Sequence, residues 1–179
     1  MVMSRKLLFV IHKHKATNLH YDFRLEIGGV MPSWAIAKGP TLDNTKKRLA
    51  LPTTDHTMEY RNFEGVIPEG NYGAGPVMIW DEGYYIPEIE IAKGVREEIK
   101  DVEHGDIAMQ EGLEKGEIKF VLHGKKMKGS FALVKTKGWG PKNAWLLIKH
   151  KDDFVESEYD ANNYDESARS KRTLEEIST

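Results

Sequence analysis

Polar and apolar positions alternate along most of this chain in short runs broken by glycine and proline, which is the pattern of strands and not of long helices. Leu7 to Lys13 is a short apolar run, and Leu19 to Ile27 alternates residue by residue. Gly28-Gly29 then turns the chain into Val30 to Ala37, the signature of a two-residue hairpin. Further strands are expected at Arg48 to Pro52, Gly75 to Asp81, Ile118 to Leu122, Gly129 to Lys135 and Ala144 to Lys149. About eight short strands joined by Gly-rich turns predict a mainly β fold, a compact antiparallel β-barrel or sandwich with a few short helices.

Two stretches break this rhythm. Between Ile89 and Glu103 the apolar residues Ile91, Val95, Ile99 and Val102 recur at spacings of three and four, which predicts a helix. Ala108 to Leu113 is expected to add a further short turn of helix, and the whole acidic stretch reads as a cover or insertion between strands. From Asp152 the chain becomes polar, so residues 152–179 are expected to form a loosely held carboxyl-terminal tail, with a brief helix started by Thr173-Leu174-Glu175-Glu176.

The alternation in Leu19 to Ile27 has a chemical consequence. Successive side chains of a strand point to opposite faces, so His20, Asp22 and Arg24 share one face while Tyr21, Phe23 and Leu25 share the other. Such a strand is ordinarily half-buried with a wet outer face, but a solvated face carries Lys, Thr, Ser or Glu more often than His, Asp and Arg in succession. With His14 upstream, two imidazoles and a carboxylate make an N/N/O set for a divalent transition metal. A guanidinium beside it suits an anionic substrate, and the combination suggests metal-assisted chemistry on a phosphate.

Composition narrows the setting. A chain of 179 residues, 40% hydrophobic and 30% charged, fits one globular domain spanning residues 1–179. No apolar run approaches the roughly 18 residues of a membrane helix, and the amino terminus lacks the pattern of a secretory signal. The absence of cysteine excludes disulfides, thiolate metal sites and cysteine nucleophiles, and fits the reducing cytoplasm expected as its location. The net charge of −2 conceals an uneven distribution, with acid at residues 82–117 and 152–176 and basic residues in the first 50 and at His123 to Lys128. A basic face able to hold a short stretch of phosphate backbone is compatible with this, whereas a long non-specific footprint is not.

Further candidates follow the hairpin. Lys38 ends a strand before Gly39-Pro40, and Arg48 opens the next, though each taken alone fits a solvated cation. His56 and Tyr60 stand four residues apart, a spacing that fits a buried hydrogen-bonding histidine as well as a catalytic one. The Gly-rich stretch Pro68 to Gly75 is read as structural.

The segments HKATNLHYDFRLEIGGVMPSWAIAKGP, DHTMEYRNFEGVIPEGNYGAG and KFVLHGKKMKGSFALVK, followed by AWLLIKHKD, together resemble the 3′-phosphoesterase domain of bacterial DNA ligase D. The resemblance covers most of residues 8–150 in matching order, and it implies a free-standing version of that domain. It implies a manganese-dependent β-barrel acting on DNA or RNA 3′-ends, especially primer-templates with terminal ribonucleotides, with a separate DNA ligase or end-joining factor as a partner. A phosphodiesterase step would remove the terminal ribonucleoside and a phosphomonoesterase step the remaining 3′-phosphate, leaving a 3′-hydroxyl. Carried over by position, His14, His20 and Asp22 would hold Mn2+, while Arg24, Lys38, Arg48, His56 and Tyr60 would surround the scissile phosphate.

The match has departures. His12 stands where bacterial relatives carry glutamine and Thr54 where they carry glutamate; residues 84–112 look longer, and the bacterial leader segment is nearly absent. His12 shares strand parity with His14, so it either faces the site or packs beside it. Two rival readings stand beside the phosphoesterase. One is a non-haem iron oxygenase using His20, Asp22 and His56 as a facial triad; the other is a non-catalytic module that binds 3′-ends.

Overall fold

The computed structural model describes residues 5–138 and 140–179; Met1 to Ser4 and Trp139 lie outside them. Among the described residues there are ten strands: β1 (Leu7–Lys15), β2 (Leu19–Leu25), β3 (Met31–Ile36), β4 (Arg48–His56), β5 (Gly65–Ile67), β6 (Gly75–Ala92), β7 (Val95–Glu98), β8 (Glu117–Gly124), β9 (Lys128–Lys135) and β10 (Trp145–Lys149). Neighbours run β1-β2-β3-β4-β10-β9-β8-β6, and β6 pairs back onto β1, so the sheet closes as an eight-stranded antiparallel barrel. The eight barrel strands are those expected from the alternation; β5 and β7 are short additions paired to β6. Gly28 and Gly29, with φ of 64° and 82°, make the tight turn between β2 and β3, where the twist of the flanking strands calls for positive φ at both positions.

Barrel closure gives every strand an inner and an outer face. Phe9, Ile11, Tyr21, Phe23, Leu25, Phe120, Leu122, Phe131 and Leu133 point inward and are all nearly fully buried in one core. Phe23 meets Phe9 edge-on at 6.4 Å and Phe120 at 5.8 Å between ring centroids. The alternate residues of β1 and β2 therefore face outward, with His12 opposite Asp22 and His14 opposite His20.

The stretch 89–103 corrects the helix expected there. β6 runs on to Ala92, turns at Gly94 and returns as β7, and α1 (Val102–Lys115) begins only afterwards. Ile89, Ile91 and Val95 are 47%, 56% and 50% exposed, so their spacing never served a buried helical stripe. Asp101 caps α1 by accepting from the His104 N–H, and Gly116 ends it in the left-handed conformation at φ 86°. Met109 on α1 joins the barrel core, and Asp106 accepts from Gly28 N, which fixes the helix against the β2–β3 turn.

The polar carboxyl-terminal segment, where composition suggested a loose tail, is tied along the barrel. Tyr159, Ala161, Ser167, Ala168 and Ile177 are buried, Tyr21 donates its hydroxyl to Asn162, and Ala168 N donates to Ile79 O. Its polar residues carry specific hydrogen bonds that composition alone does not reveal. α2 (Leu174–Ser178) begins as expected, with Thr173 and Glu176 forming a reciprocal capping box.

Phe23→Ala is expected to lower stability by about 3–5 kcal/mol, the cost of emptying a buried aromatic site, while Ile91→Ser on the exposed ribbon stays within about 0.5 kcal/mol. Urea unfolding of the two variants checks both; a large loss at Ile91 would contradict the ribbon.

Candidate functional site

The outer face of β1 and β2 carries the cluster. His14, His20 and Asp22 each offer a ligand atom, all within 4.8 Å of one another. His20 Nε2 lies 3.1 Å and His14 Nδ1 3.8 Å from the same oxygen, Asp22 Oδ2. The opposite nitrogen of each ring is already engaged by a backbone carbonyl. His14 Nε2–H donates to Gly73 O at 2.7 Å and His20 Nδ1–H to Asn18 O at 3.1 Å. These two bonds fix the tautomers so that His14 Nδ1 and His20 Nε2 face the carboxylate, the outer-sphere arrangement of metal-bound histidines. The donor set thus fits a divalent ion.

The charges agree with that fit. Burial pushes the Asp22 carboxyl up, but contacts with His14 and His20 and the Arg24 charge outweigh it and hold the group well below the usual carboxylate range. Its hydrogen bond to Asp22 raises His20, against the opposing effect of burial. A divalent ion at this point would take the place of the proton that His20 otherwise shares with Asp22.

Arg24, 3% exposed, stands next along the same face with its donors directed by four side chains. Nη2 donates to Asp22 Oδ2 at 3.3 Å, Nε to His12 Nδ1 at 3.0 Å, and Nη1 to Ser33 Oγ at 3.1 Å; Nη1 also lies 3.0 Å from His56 Nδ1. The Tyr60 ring covers the guanidinium carbon at 5.0 Å. Of the five N–H groups, at least one, on Nη2, is left uncommitted.

His12, which sequence parity left between site and packing, is part of this frame. It is fully buried, accepts from Arg24, and donates Nε2–H to Phe63 O at 3.0 Å. Desolvation and then the Arg24 charge push its pKa down to about 3, so it is a neutral acceptor that holds Arg24 in place. A bulge in the β1–β6 pairing at Ile11/His12 interrupts the ladder beside it. There Ile79 N turns to the Glu64 carboxylate at 2.8 Å, anchoring the segment that carries Tyr60 and Phe63.

His56 and Tyr60 reach the site through the end of β4 and a 3₁₀ turn, η1 (Met58–Asn62). Met58 packs on Val10, Met31 and Ile79, an outer-face cluster that seats η1 on the barrel. Tyr60 then stacks on Phe63 at 5.5 Å and leans on His56 at 4.4 Å. Burial raises the Tyr60 hydroxyl pKa, so it remains a donor. His56 is lowered by burial and then by Arg24, and its Nδ1 sits between Arg24 Nη1 and Thr54 O, the latter at 2.8 Å. Accepting from Arg24 leaves Nε2–H as an outward donor, and donating to Thr54 O leaves a bare Nε2.

Of the expected residues, His14, His20, Asp22, Arg24, His56 and Tyr60 come together. Lys38 is exposed, and Arg48 donates Nε to Gly39 O at 3.0 Å; among the described residues no hydrogen bond, ion pair or ring contact joins either to the cluster. Ser33, Phe63, Glu64 and the Gly73 carbonyl were missed. Ser33 had a signal, since it lies opposite Arg24 across the β2–β3 hairpin. A backbone carbonyl such as that of Gly73 has none. The iron-oxygenase alternative requires His56 beside His20 and Asp22, but the Arg24 guanidinium bonds both Asp22 and His56 and stands between them as a cation.

The description "DNA Ligase D 3′-phosphoesterase domain" belongs to a family model that matches residues 12–135. The chain is 42% identical over 146 residues to the multifunctional non-homologous end joining protein LigD of Pseudomonas aeruginosa, covering 82% of this chain and 15% of that protein. It is 44% identical over 146 residues to the same-named protein of Mycolicibacterium smegmatis, covering 80% and 17%. Against the multifunctional non-homologous end joining DNA repair protein LigD of Mycobacterium tuberculosis, identity is 39% over 154 residues, covering 85% and 17%. The chain spans under a fifth of the length of these curated relatives.

Metal-free protein is expected to lose stability as pH falls from about 6.5 toward 3. Neutral His12 is favoured only in the folded state, so its contribution is complete above the unfolded pKa and is lost on acidification. Urea unfolding in chelator, with His12→Gln as comparison, checks this; the variant is expected to show the shallower acid slope.

Proposed function

Because the chain belongs to the DNA ligase D 3′-phosphoesterase domain family, we propose that it is a manganese-dependent end-healing hydrolase. On a primer-template ending in a ribonucleotide it removes the terminal ribonucleoside as a phosphodiesterase, and then the 3′-phosphate as a phosphomonoesterase. The observation that carries this reading is the convergence of His14, His20 and Asp22 beside a buried Arg24 that keeps an uncommitted N–H on Nη2. His14 Nδ1, His20 Nε2 and Asp22 Oδ2 would hold Mn2+ or another divalent transition metal, to which this donor set is equally suited. When bound, that ion supplies Lewis-acid charge at a phosphate oxygen and lowers the pKa of bound water.

The remaining residues act on the phosphate directly. Arg24 presents the free N–H of Nη2 as a fixed positive donor, held rigid by His12, Ser33 and Asp22, so little reorganisation is needed as charge develops in the transition state. His56, accepting from Arg24 on Nδ1, donates Nε2–H to a phosphoryl oxygen, and its depressed pKa keeps it neutral near pH 7. Tyr60 orients the same group through its hydroxyl. Lys38 and Arg48 add positive charge beyond the cluster: the register that pairs Tyr21 with Ile36 carries the chain onward past His20 toward Lys38.

The substrates named by this reading are DNA and RNA 3′-ends in end joining, with a DNA ligase or another end-joining factor as the partner that uses the healed end. No helix among the described residues is long and apolar enough to cross a membrane.

His14→Ala, His20→Ala and Asp22→Ala are each expected to abolish both steps while leaving the barrel folded. Product analysis on a primer-template ending in one ribonucleotide, with and without manganese, checks this. Retained turnover in folded Asp22→Ala protein would remove the metal assignment, and end binding without turnover in manganese, cobalt or zinc would favour the non-catalytic module.

A further inference from the structure

Among the exposed large hydrophobic side chains of the described residues Tyr72 is the most accessible, at 104%, and its position gives that exposure meaning. It sits in the loop between β5 and β6, and the next residue is Gly73, whose carbonyl receives the His14 Nε2–H at 2.7 Å. The loop is held on both sides of the ring. Asn71 N donates to Pro68 O and Ala74 N to Asn71 O. Gly75 approaches the Lys15 carbonyl so closely that an added Cβ would lie 2.1 Å from it. Tyr72 is therefore an exposed aromatic ring on a backbone pinned to His14, one of the three residues of the proposed metal site.

Single exposed apolar side chains are common and ordinarily need no explanation. Here the tether sets Tyr72 Cα within roughly 11 Å of the Asp22-facing nitrogen of His14, given a Cα to Cα step of about 3.8 Å. A ring swinging from that Cα can reach the base of a nucleotide whose 3′-phosphate lies at the cluster. An exposed aromatic face on this held backbone is a stacking platform of the kind that holds unpaired bases in sequence-tolerant nucleic-acid sites, because every base has a π-face.

We infer that Tyr72 stacks on the nucleobase of the terminal nucleotide and so sets the 3′-phosphate against the metal cluster. This inference rests on the phosphoesterase reading of the site. The ligand class is a nucleobase of any identity, and the chemistry of recognition is the ring face, not the hydroxyl. Tyr72→Phe keeps that face and Tyr72→Ala removes it, and neither disturbs a packed neighbour.

The test uses two oligonucleotides of equal length ending in a 3′-phosphate, one with a terminal base and one abasic at that residue. Wild-type protein is expected to prefer the base-bearing end. Tyr72→Ala is expected to raise KM on that end by about tenfold or more, the scale of one stacked base, and so to lose the preference, while Tyr72→Phe keeps it. Equal KM in Tyr72→Ala and wild type on both ends would overturn the inference, as would an equal fall in kcat on both, which would mark a role in holding the loop. Affinity for the same two ends, read by fluorescence anisotropy in chelator, decides the matter even if no phosphate is released. In that case the phosphoesterase reading fails, while a base-dependent loss of affinity in Tyr72→Ala still upholds the stacking and an unchanged affinity refutes it.

Discussion

A guanidinium buried on the outer face of a barrel has to have its donors met, and the arrangement around Arg24 is the consequence. Leaving such a charge unpaired away from water costs several kcal/mol, so Asp22, His12, Ser33 and His56 are held where they can take its N–H groups. Each comes from a different part of the closed sheet: His12 from β1, Asp22 from β2, Ser33 from β3 and His56 from the end of β4. The β1-β2-β3-β4 meander sets these strands side by side, and Arg24 turns that adjacency into a fixed geometry. Asp22 faces both ways, accepting from Arg24 and from His20 on the same oxygen, which couples the cation to the proposed metal site.

Support for the site runs outward in layers. Backbone carbonyls of Gly73 and Asn18 set the ring nitrogens of His14 and His20, and the carbonyl of Phe63 sets His12. The Phe63 segment is in turn clasped through Glu64, which accepts from Ile79 N at the bulge and from Ser170 and Arg172 of the carboxyl-terminal segment. The polar tail thereby belongs to the same chain of contacts as Tyr60. Cation and ligand residues occupy strands, and the Gly-rich loop, the β1–β2 turn and η1 approach them from outside.

Much of this was legible because it depends on nearest neighbours. Strand parity within Leu19 to Ile27 is local, so the shared face of His20, Asp22 and Arg24 could be read directly, as could the eight barrel strands and the capping box at Thr173. His14 entered the N/N/O set by residue type and the family resemblance moved His56 away from the metal; the ligand atoms of His14, His20 and Asp22 lie within 4.8 Å of one another. The helix expected at 89–103 failed for a physical reason: the turn at Gly94 reverses the chain, so Ile91 and Val95 fall at a helical spacing while lying on two arms of a ribbon. His12 could not be decided by parity, which says which face a side chain takes but not what waits there. The Phe63, Gly73 and Asn18 carbonyls leave no mark in a sequence at all, since every residue has one.

The central claim is that one divalent ion, held by His14, His20 and Asp22, makes this chain a phosphoesterase. Manganese binding counted by electron paramagnetic resonance, with phosphate release from a 3′-phosphorylated primer-template followed on the same metal-stripped sample, tests it most directly. Release that rises in step with occupancy and saturates at one ion per chain is the predicted result. Full release from metal-free protein, or occupancy without release, would contradict it.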